Sequence, residues 1–314
     1  MNHSYRVVWN RSTSSWQAVC ETAKRCGKSG RASLKLVAVT GVAALAGVAQ
    51  AQTVNLPTGG QVVAGSAAIS QSGTSMTITQ GSAKAAINWQ GFSVGSGNTV
   101  NFVQPSASAV ALNNVLGSTV SVIQGAIKAN GQVFLVNPNG VLFTPTARVE
   151  AAALVASTLR MSTSDFLAGN YTFEGASSNA VVNQGQIVAT GGDGQAAAVA
   201  LIAARIVNDG AITADRGAVL MGAGSNVTLD LGGPVKLRVN QGAVDALVQN
   251  GGAIQADGGL VYLTARGVNE LSAAVVNNTG LVRAQTLSTG EKGEIRLVAD
   301  MTSGTVVADG SLDA

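Results

Sequence analysis

Val182-Asn-Gln-Gly-Gln-Ile-Val-Ala189 returns as Val207-Asn-Asp-Gly-Ala-Ile-Thr-Ala214 and again as Gln249-Asn-Gly-Gly-Ala-Ile-Gln-Ala256. Two further copies are Asn277-Asn-Thr-Gly-Leu-Val-Arg-Ala284 and Val307-Ala-Asp-Gly-Ser-Leu-Asp-Ala314, with a looser one at Ile123-Gln-Gly-Ala-Ile-Lys-Ala129. The shared core is Asn-x-Gly-x-(Ile/Leu/Val)-x-Ala, starting at 183, 208, 250, 278 and 308, with separations of 25, 42, 28 and 30 residues. Asn-x-Gly reads as a turn with a left-handed residue. Ile-x-Ala alternates with period two, so both side chains share one face of a strand. A Gly-rich step then leads to a second apolar run in Gly217–Met221, Gly259–Leu263 and Glu294–Val298. Turn, strand, turn, strand at a coarse fixed period is a coil of a parallel β-helix, whose coils bury their inner faces only by stacking. A β-sandwich also has many short strands, but its strands need hairpins and do not repeat in phase. The fold class expected is all-β: a parallel β-helix, or solenoid, with an N-terminal cap.

Aromatic residues are 4% of the chain, which suits a narrow bore filled by Val, Ile, Leu and Ala. Residues 54–90 precede the regular repeats and are expected to cap the open end, since a bare solenoid end exposes strand edges. Val227–Leu231, Gly232-Gly233-Pro234 and Val235–Val239 read as an extra-helical β-hairpin projecting from the coil face, which accounts for the 42-residue gap. Residues 148–170, with Ala151-Ala-Ala-Leu154, fit a strand or a short helix.

The first 51 residues differ from the rest. They hold Cys20, Cys26, His3 and seven of the 19 Lys and Arg. Leu36–Ala49 is apolar and ends in Ala49-Gln50-Ala51. A basic region, a short apolar segment and a small-x-small site make a Sec signal peptide, with cleavage after Ala51 and before Gln52. The apolar run has 14 residues, whereas a membrane span needs about 20. The remainder carries 12 Lys and Arg against 15 Asp and Glu, a net of −3, and has no Cys or His. The basic pI therefore belongs largely to the leader, and a nucleic-acid partner loses its support. Disulfides, Cys nucleophiles, His-dependent triads and His- or Cys-ligated zinc are excluded from residues 52–314. A cysteine-free chain also suits passage through an oxidising compartment in an unfolded state.

Asn130–Phe143 carries the densest local specification. Val133–Val136 is an apolar strand, Asn137-Pro138-Asn139-Gly140 a tight turn, and Val141–Phe143 a second apolar run. The turn and both flanks look specified, as though the turn were read by something.

Several of these features resemble a known family. Met1–Asn10, Trp16–Val19 and Lys24-Arg25 are similar to the extended signal peptides of large Gram-negative type V secretion substrates. Leu56-Pro-Thr-Gly-Gly60, Ala85-Ala-Ile-Asn-Trp-Gln90, Val100-Asn-Phe-Val-Gln-Pro105, Asn137-Pro-Asn-Gly140, Leu154-Val-Ala-Ser-Thr158 and Asp165-Phe-Leu-Ala-Gly-Asn170 resemble the N-terminal secretion domain of filamentous-haemagglutinin-like exoproteins. The resemblance covers nearly all of residues 52–314. It implies a right-handed β-helix exported by two-partner secretion, recognition in the periplasm by the POTRA domains of an outer-membrane transporter, and folding at the cell surface. It assigns the turn Asn137–Gly140 to secretion competence, by direct recognition or by early folding. A second Asn-Pro-Asn motif of some members is not found.

The organisation expected is a leader at 1–51, a secretion domain at 52–300 and the start of a further repeat at 301–314, where the chain looks truncated. The function expected is export of a secreted adhesin, with a host-cell or bacterial surface receptor as the ligand of the exoprotein. The alternative is the secretion end of a contact-dependent growth-inhibition toxin, and a third class is a surface polysaccharide-active enzyme. Catalysis is not expected: Asp209, Asp215, Asp257 and Asp309 sit beside turn glycines. Gly191-Gly-Asp-Gly194 occurs once, whereas stacked calcium sites need several copies. No cofactor or metal is expected. Trp89 reads as a buried cap or coil residue.

Overall fold

The computed structural model describes residues 5–10, 15–20, 55–230, 236–269, 272, 274–288, 290–301 and 303–314. Residues 1–51 and 52–314 are separate units. In the first, Tyr5–Asn10 pairs antiparallel with Ser15–Cys20. Leu36–Ala49, and with it the cleavage residues Ala49, Ala51 and Gln52, lie outside the described residues.

The second unit is a right-handed parallel β-helix with three long sheets of ten, nine and seven strands. One coil shows the path: Gln186–Ala189 in the first sheet, Ala198–Ala203 in the second, Arg205–Asn208 in the third. The chain then re-enters the first sheet at Ala211–Thr213. Each repeat start is therefore the corner between the third sheet and the first. The third strand per coil is the element the repeat pattern hides, because it runs directly into the Asn-x-Gly corner: Arg205–Asn208 ends on the repeat's own asparagine.

Stacking is in register. Ile127, Val149, Ile187, Ile212, Ile254 and Val282 occupy one column of the first sheet, and all are essentially inaccessible to solvent. Ala189, Ala214, Ala256 and Ala284 are buried beside them, as the Ile-x-Ala alternation requires. The bore also holds rings: Trp89, Phe92, Phe102 and Phe143 are buried in the inner core. They are confined to its N-terminal part, where Trp89 and Phe92 meet edge-to-face at 5.4 Å.

The glycine of Asn-x-Gly has a different reason from the expected left-handed backbone. None of Gly185, Gly210, Gly252, Gly280 or Gly310 has positive φ. A Cβ on Gly252 would lie 2.1 Å from the carbonyl oxygen of Gly210 one coil earlier, so close backbone approach excludes a side chain. The asparagine is likewise a coil-to-coil element. Asn183 Nδ2 donates to Asn208 Oδ1, Asn208 Nδ2 to Asn250 Oδ1, and Asn250 Nδ2 to Asn278 Oδ1, each at 2.7 Å. All four side chains are fully buried. The column ends where Asn278 pairs in register with Ala308, and Asn278 Nδ2 turns to its own Gly280 carbonyl at 3.3 Å.

The cap is shorter than expected. Gln61–Ala64 and Ala67–Ser72 pair antiparallel with the first coil and close the end. Ser75–Gln80 and Lys84–Trp89 already pair parallel with the next coil. Residues 148–170 divide into the strands Arg148–Ala151 and Ala153–Ser157 and the short helix Thr163–Ala168; the alanine run is strand.

The extra-helical hairpin is present, and its described strands lie against the coil instead of standing away from it. Asn226–Leu229 pairs antiparallel with Leu237–Gln241, and Tyr171–Glu174 joins as a third strand; the expected tip at 231–235 lies outside the described residues. Val227, Leu229 and Leu237 are buried. They form a second apolar cluster with Phe134, Val155, Phe166, Phe173 and Leu220, on the outer face of the second sheet. An apolar outer face has to be covered, so the layer lies flat on the coil.

Candidate functional site

The turn Asn137–Gly140 forms the corner between the second-sheet strand Gln132–Val136 and the third-sheet strand Val141–Phe143. The Gly140 N–H donates to the Asn137 carbonyl at 3.0 Å, closing the turn. Asn137 Oδ1 accepts from the backbone N–H and the side-chain amide of Asn139, both at 3.0 Å. This side-chain mimic of a turn is the usual asparagine motif. Neither Asn137 nor Asn139 has positive φ; Gly140 does, at 117°.

The corner is fastened to both neighbouring coils. Towards the preceding one, Asn137 Nδ2 donates to the Thr119 carbonyl and Ser121 Oγ at 2.9 Å. Asn139 Nδ2 donates to the Gly117 carbonyl at 2.8 Å. Towards the following one, the Asn137 N–H donates to the Ser157 carbonyl at 2.9 Å. The Pro138 carbonyl accepts from Ser177 Oγ at 2.7 Å and Asn179 Nδ2 at 2.8 Å. Ser177 and Asn179 belong to the segment by which the chain returns from the outer layer. Asn137 exposes no surface, while Pro138 and Asn139 are half-buried. Buried amides are costly without partners, and Asn137 uses both side-chain polar atoms here.

Gly140→Ala tests the backbone requirement alone. An added Cβ meets nothing closer than 3.4 Å, so the cost is that of a non-glycine residue at positive φ, about 1–3 kcal/mol. A fall in the thermal midpoint with unchanged circular dichroism is the expected result.

The flank is equally engaged. Val133 and Leu135 face the bore, whereas Phe134 faces outwards into a ring cluster with Phe166 at 6.2 Å, Tyr171 at 5.0 Å and Phe173 at 6.4 Å. The helix beneath starts on Ser162, whose hydroxyl accepts from the Asp165 N–H, and ends on Gly169 at φ 84°. Lys84 Nζ donates to the Phe166 and Leu167 carbonyls at 3.1 and 2.8 Å, a cation at a helix C-terminus. Burial pushes the Tyr171 phenol above its ordinary pKa. The strand Gln132–Val136 is thus buried on both faces. Its unbroken apolar run was the available signal for the outer layer, but Phe166 and Phe173 lie too far along the chain for a local pattern to show it.

Trp89 is 1% exposed, and its indole N–H donates to Asn113 Oδ1 at 3.0 Å. Two of the four turn acids, Asp215 and Asp257, bind neighbouring coils. Asp215 Oδ1 accepts from the Asp257 N–H at 3.3 Å, and Asp257 Oδ1 from the Gln285 N–H at 3.1 Å. Arg283 holds Asp257 through its Nη2 at 2.6 Å, and that bond raises the Arg283 pKa. Asp193, at φ 52°, accepts from the Ala107 N–H at 2.9 Å. Among the described residues no group of three His, Cys, Asp or Glu could hold a metal ion, and no helix is long and apolar enough to cross a membrane.

Residues 51–312 match the family model of the TPS secretion domain. The chain belongs to that family. Residues 1–50 match the extended signal peptide of the type V secretion system. The TPS domain is 34% identical over 259 residues to a heme/hemopexin-binding protein of Haemophilus influenzae, covering 81% of this chain and 28% of that protein. A second protein of that name and species is 40% identical over 126 residues, 40% of this chain and 14% of its own. Among solved structures, the HMW1 secretion domain from Haemophilus influenzae superposes with a TM-score of 0.66 at 27% identity, covering 80% of this chain and 66% of that one. This chain therefore spans only a minor part of its curated relatives. With its leader, it is the secretion end of a two-partner secreted exoprotein, exported from a Gram-negative bacterium through the periplasm.

Proposed function

We propose that this TPS domain is taken up before it folds by the POTRA domains of a cognate outer-membrane transporter, and that the Asn137–Gly140 corner then acts in folding. The carrying observation is the complete burial of Asn137, with its amide spent on Thr119 and Ser121. In the folded domain the Nδ2 of that side chain serves coil-to-coil contacts alone. Those two partners lie only 18 and 16 residues upstream, so the corner closes over a short loop at modest entropic cost. Early formation of this corner, ahead of the longer excursion to Ser177, fits a site where folding begins.

The double substitution Asn137→Ala with Asn139→Ala separates the two roles. Under the folding role, POTRA binding of the urea-unfolded chain is unchanged, the folded domain loses about 2–3 kcal/mol, and secretion falls. Loss of POTRA binding instead assigns direct reading. Unchanged binding, stability and secretion together reject both.

The exoprotein as a whole is read as a secreted adhesin that reaches the periplasm through the Sec translocon and meets a host-cell or bacterial surface receptor. A toxin-delivery protein would use the same domain in the same way. The reading is one of recognition rather than catalysis, supported by Asp215 and Asp257, which fasten coil to coil. The relatives named for heme and hemopexin suggest a ligand for the exoprotein. Because residues 52–314 contain no His or Cys, a heme ligated by either would be held elsewhere in such a protein.

A further inference from the structure

The cover over the second sheet stops short. Phe134, Val155, Ala200, Leu220, Tyr262 and Arg296 stack in register on its outer face, one per coil. The first four are fully buried, whereas Tyr262 is half-buried and Arg296 exposed. The next column carries Gly222, Thr264 and Val298, and Val298 is 39% exposed. The outer layer ends on Leu237–Gln241, which has a neighbouring strand on one side only. A Cβ on Gly222 would lie 2.8 Å from Leu237, and one on Gly224 2.4 Å from Val239. This last strand therefore lies along the coil strand Ala218–Ala223. One strand spacing further on, about 4.8 Å, the coil presents Tyr262 with no strand of the layer above it. A groove of about 530 Å³ opens there, lined by Val239, Tyr262, Val298 and Met301 and by Arg238 and Arg266.

The open edge already draws donors. Arg266 Nη1 donates to the carbonyls of Val239 and Asn240 at 3.3 and 3.1 Å, and its Nε lies 3.7 Å from Asp300 Oδ2. An arginine side chain thus stands where the N–H groups of a further strand would stand. Arg238, on the same edge, is exposed and makes no ion pair among the described residues. An unpaired edge is a template for strand addition, in which main-chain bonds give affinity and alternate side chains give specificity. The coil continues beneath the groove through Glu294–Ala299. That leaves room for one layer of backbone, but not for the coil that a second copy would bring under its own outer layer.

We infer that the groove binds an extended segment of another polypeptide as a fourth strand of the outer layer. Its alternate apolar side chains lie on Tyr262 and Val298, and a carboxylate on its outward side meets Arg238. Its N–H groups take the carbonyls that Arg266 holds, so Arg266 is a latch that the incoming strand displaces. The strand already paired with Leu237–Gln241 shows the chemistry required. Ser225-Asn-Val-Thr-Leu-Asp230 buries Val227 and Leu229 against the coil and leaves Asp230 exposed.

The test is fluorescence anisotropy of a labelled peptide of residues 224–230, titrated with the folded chain. A control peptide carries Val227→Ser and Leu229→Ser. The protein variants are Val298→Lys, Arg238→Ala and Arg266→Ala, all at exposed side chains, and thermal melts confirm that they are folded. The expected result is saturable one-to-one binding of the first peptide and none of the control. Val298→Lys abolishes it, and Arg238→Ala weakens it about tenfold. Arg266→Ala strengthens it about fivefold, because no latch has to be displaced; an arginine that only shapes the groove gives the opposite sign. Absence of saturable binding overturns the inference, as does equal binding of the two peptides or weaker binding to Arg266→Ala. Sedimentation showing a dimer that Val298→Lys dissociates also overturns it, because a second copy then occupies the groove.

Discussion

Replacing Asn208 by alanine is expected to cost about 3–5 kcal/mol, although the change removes few atoms and no apolar surface. Asn208 stands inside the buried amide column. Its Oδ1 accepts from Asn183 and its Nδ2 donates to Asn250, both at 2.7 Å. Truncation leaves a buried donor on one side and a buried acceptor on the other, and each orphan costs about 1–3 kcal/mol. A small cavity adds to this. Asn278→Ala is the control. It sits at the column's end and orphans only Asn250 Nδ2, so about half the loss is expected. Chemical denaturation of both variants gives the comparison. Equal losses would show that the four amides act singly, each through its own corner, and would remove the argument for a continuous column.

The column also explains which parts of this molecule can be read from its sequence. Ile187 and Ala189 announce their strand because alternation is local: both face the bore of the same coil. The Asn and Gly of Asn-x-Gly are visible as residues but not as functions. Locally they suit a turn with a left-handed residue, whereas Gly252 is required by the Gly210 carbonyl and Asn208 by Asn250. Both constraints come from a neighbouring coil, and a single repeat contains no trace of them. The outer layer is hidden for a related reason. Val227, Leu229 and Leu237 alternate as strands should, which shows a hairpin but not the face it covers; that depends on Phe134 and Leu220 from other coils. The corner at Asn137–Gly140 is intermediate. Its turn is legible from Pro138 and Gly140, while its ties to Gly117, Thr119 and Ser177 are not.

Phe134→Ala is the second large expected effect, about 3–5 kcal/mol for a fully buried ring. Its interest lies in where the loss falls. Phe134 is fully buried and meets Phe166, Tyr171 and Phe173, all from the outer layer. The strand that carries it, Gln132–Val136, keeps its backbone pairing with Val110–Val115 and Ala153–Ser157 and its inward Val133 and Leu135. The coil therefore retains its own core, while the helix Thr163–Ala168 and the strand Tyr171–Glu174 lose their central contact. Hydrogen exchange should show faster opening across 163–174 than in the column of Ile187, Ile212 and Ile254, as expected when stability is distributed unevenly. Uniform loss of protection would mean that layer and coil fold as one cooperative unit. That outcome would bear on export, because the corner at Asn137 follows Phe134 by three residues and holds the returning segment through Ser177 and Asn179. With a separable layer, the coil can close at the corner first and the layer can dock afterwards. A single cooperative unit requires the whole excursion to be in place before the corner gains any stability.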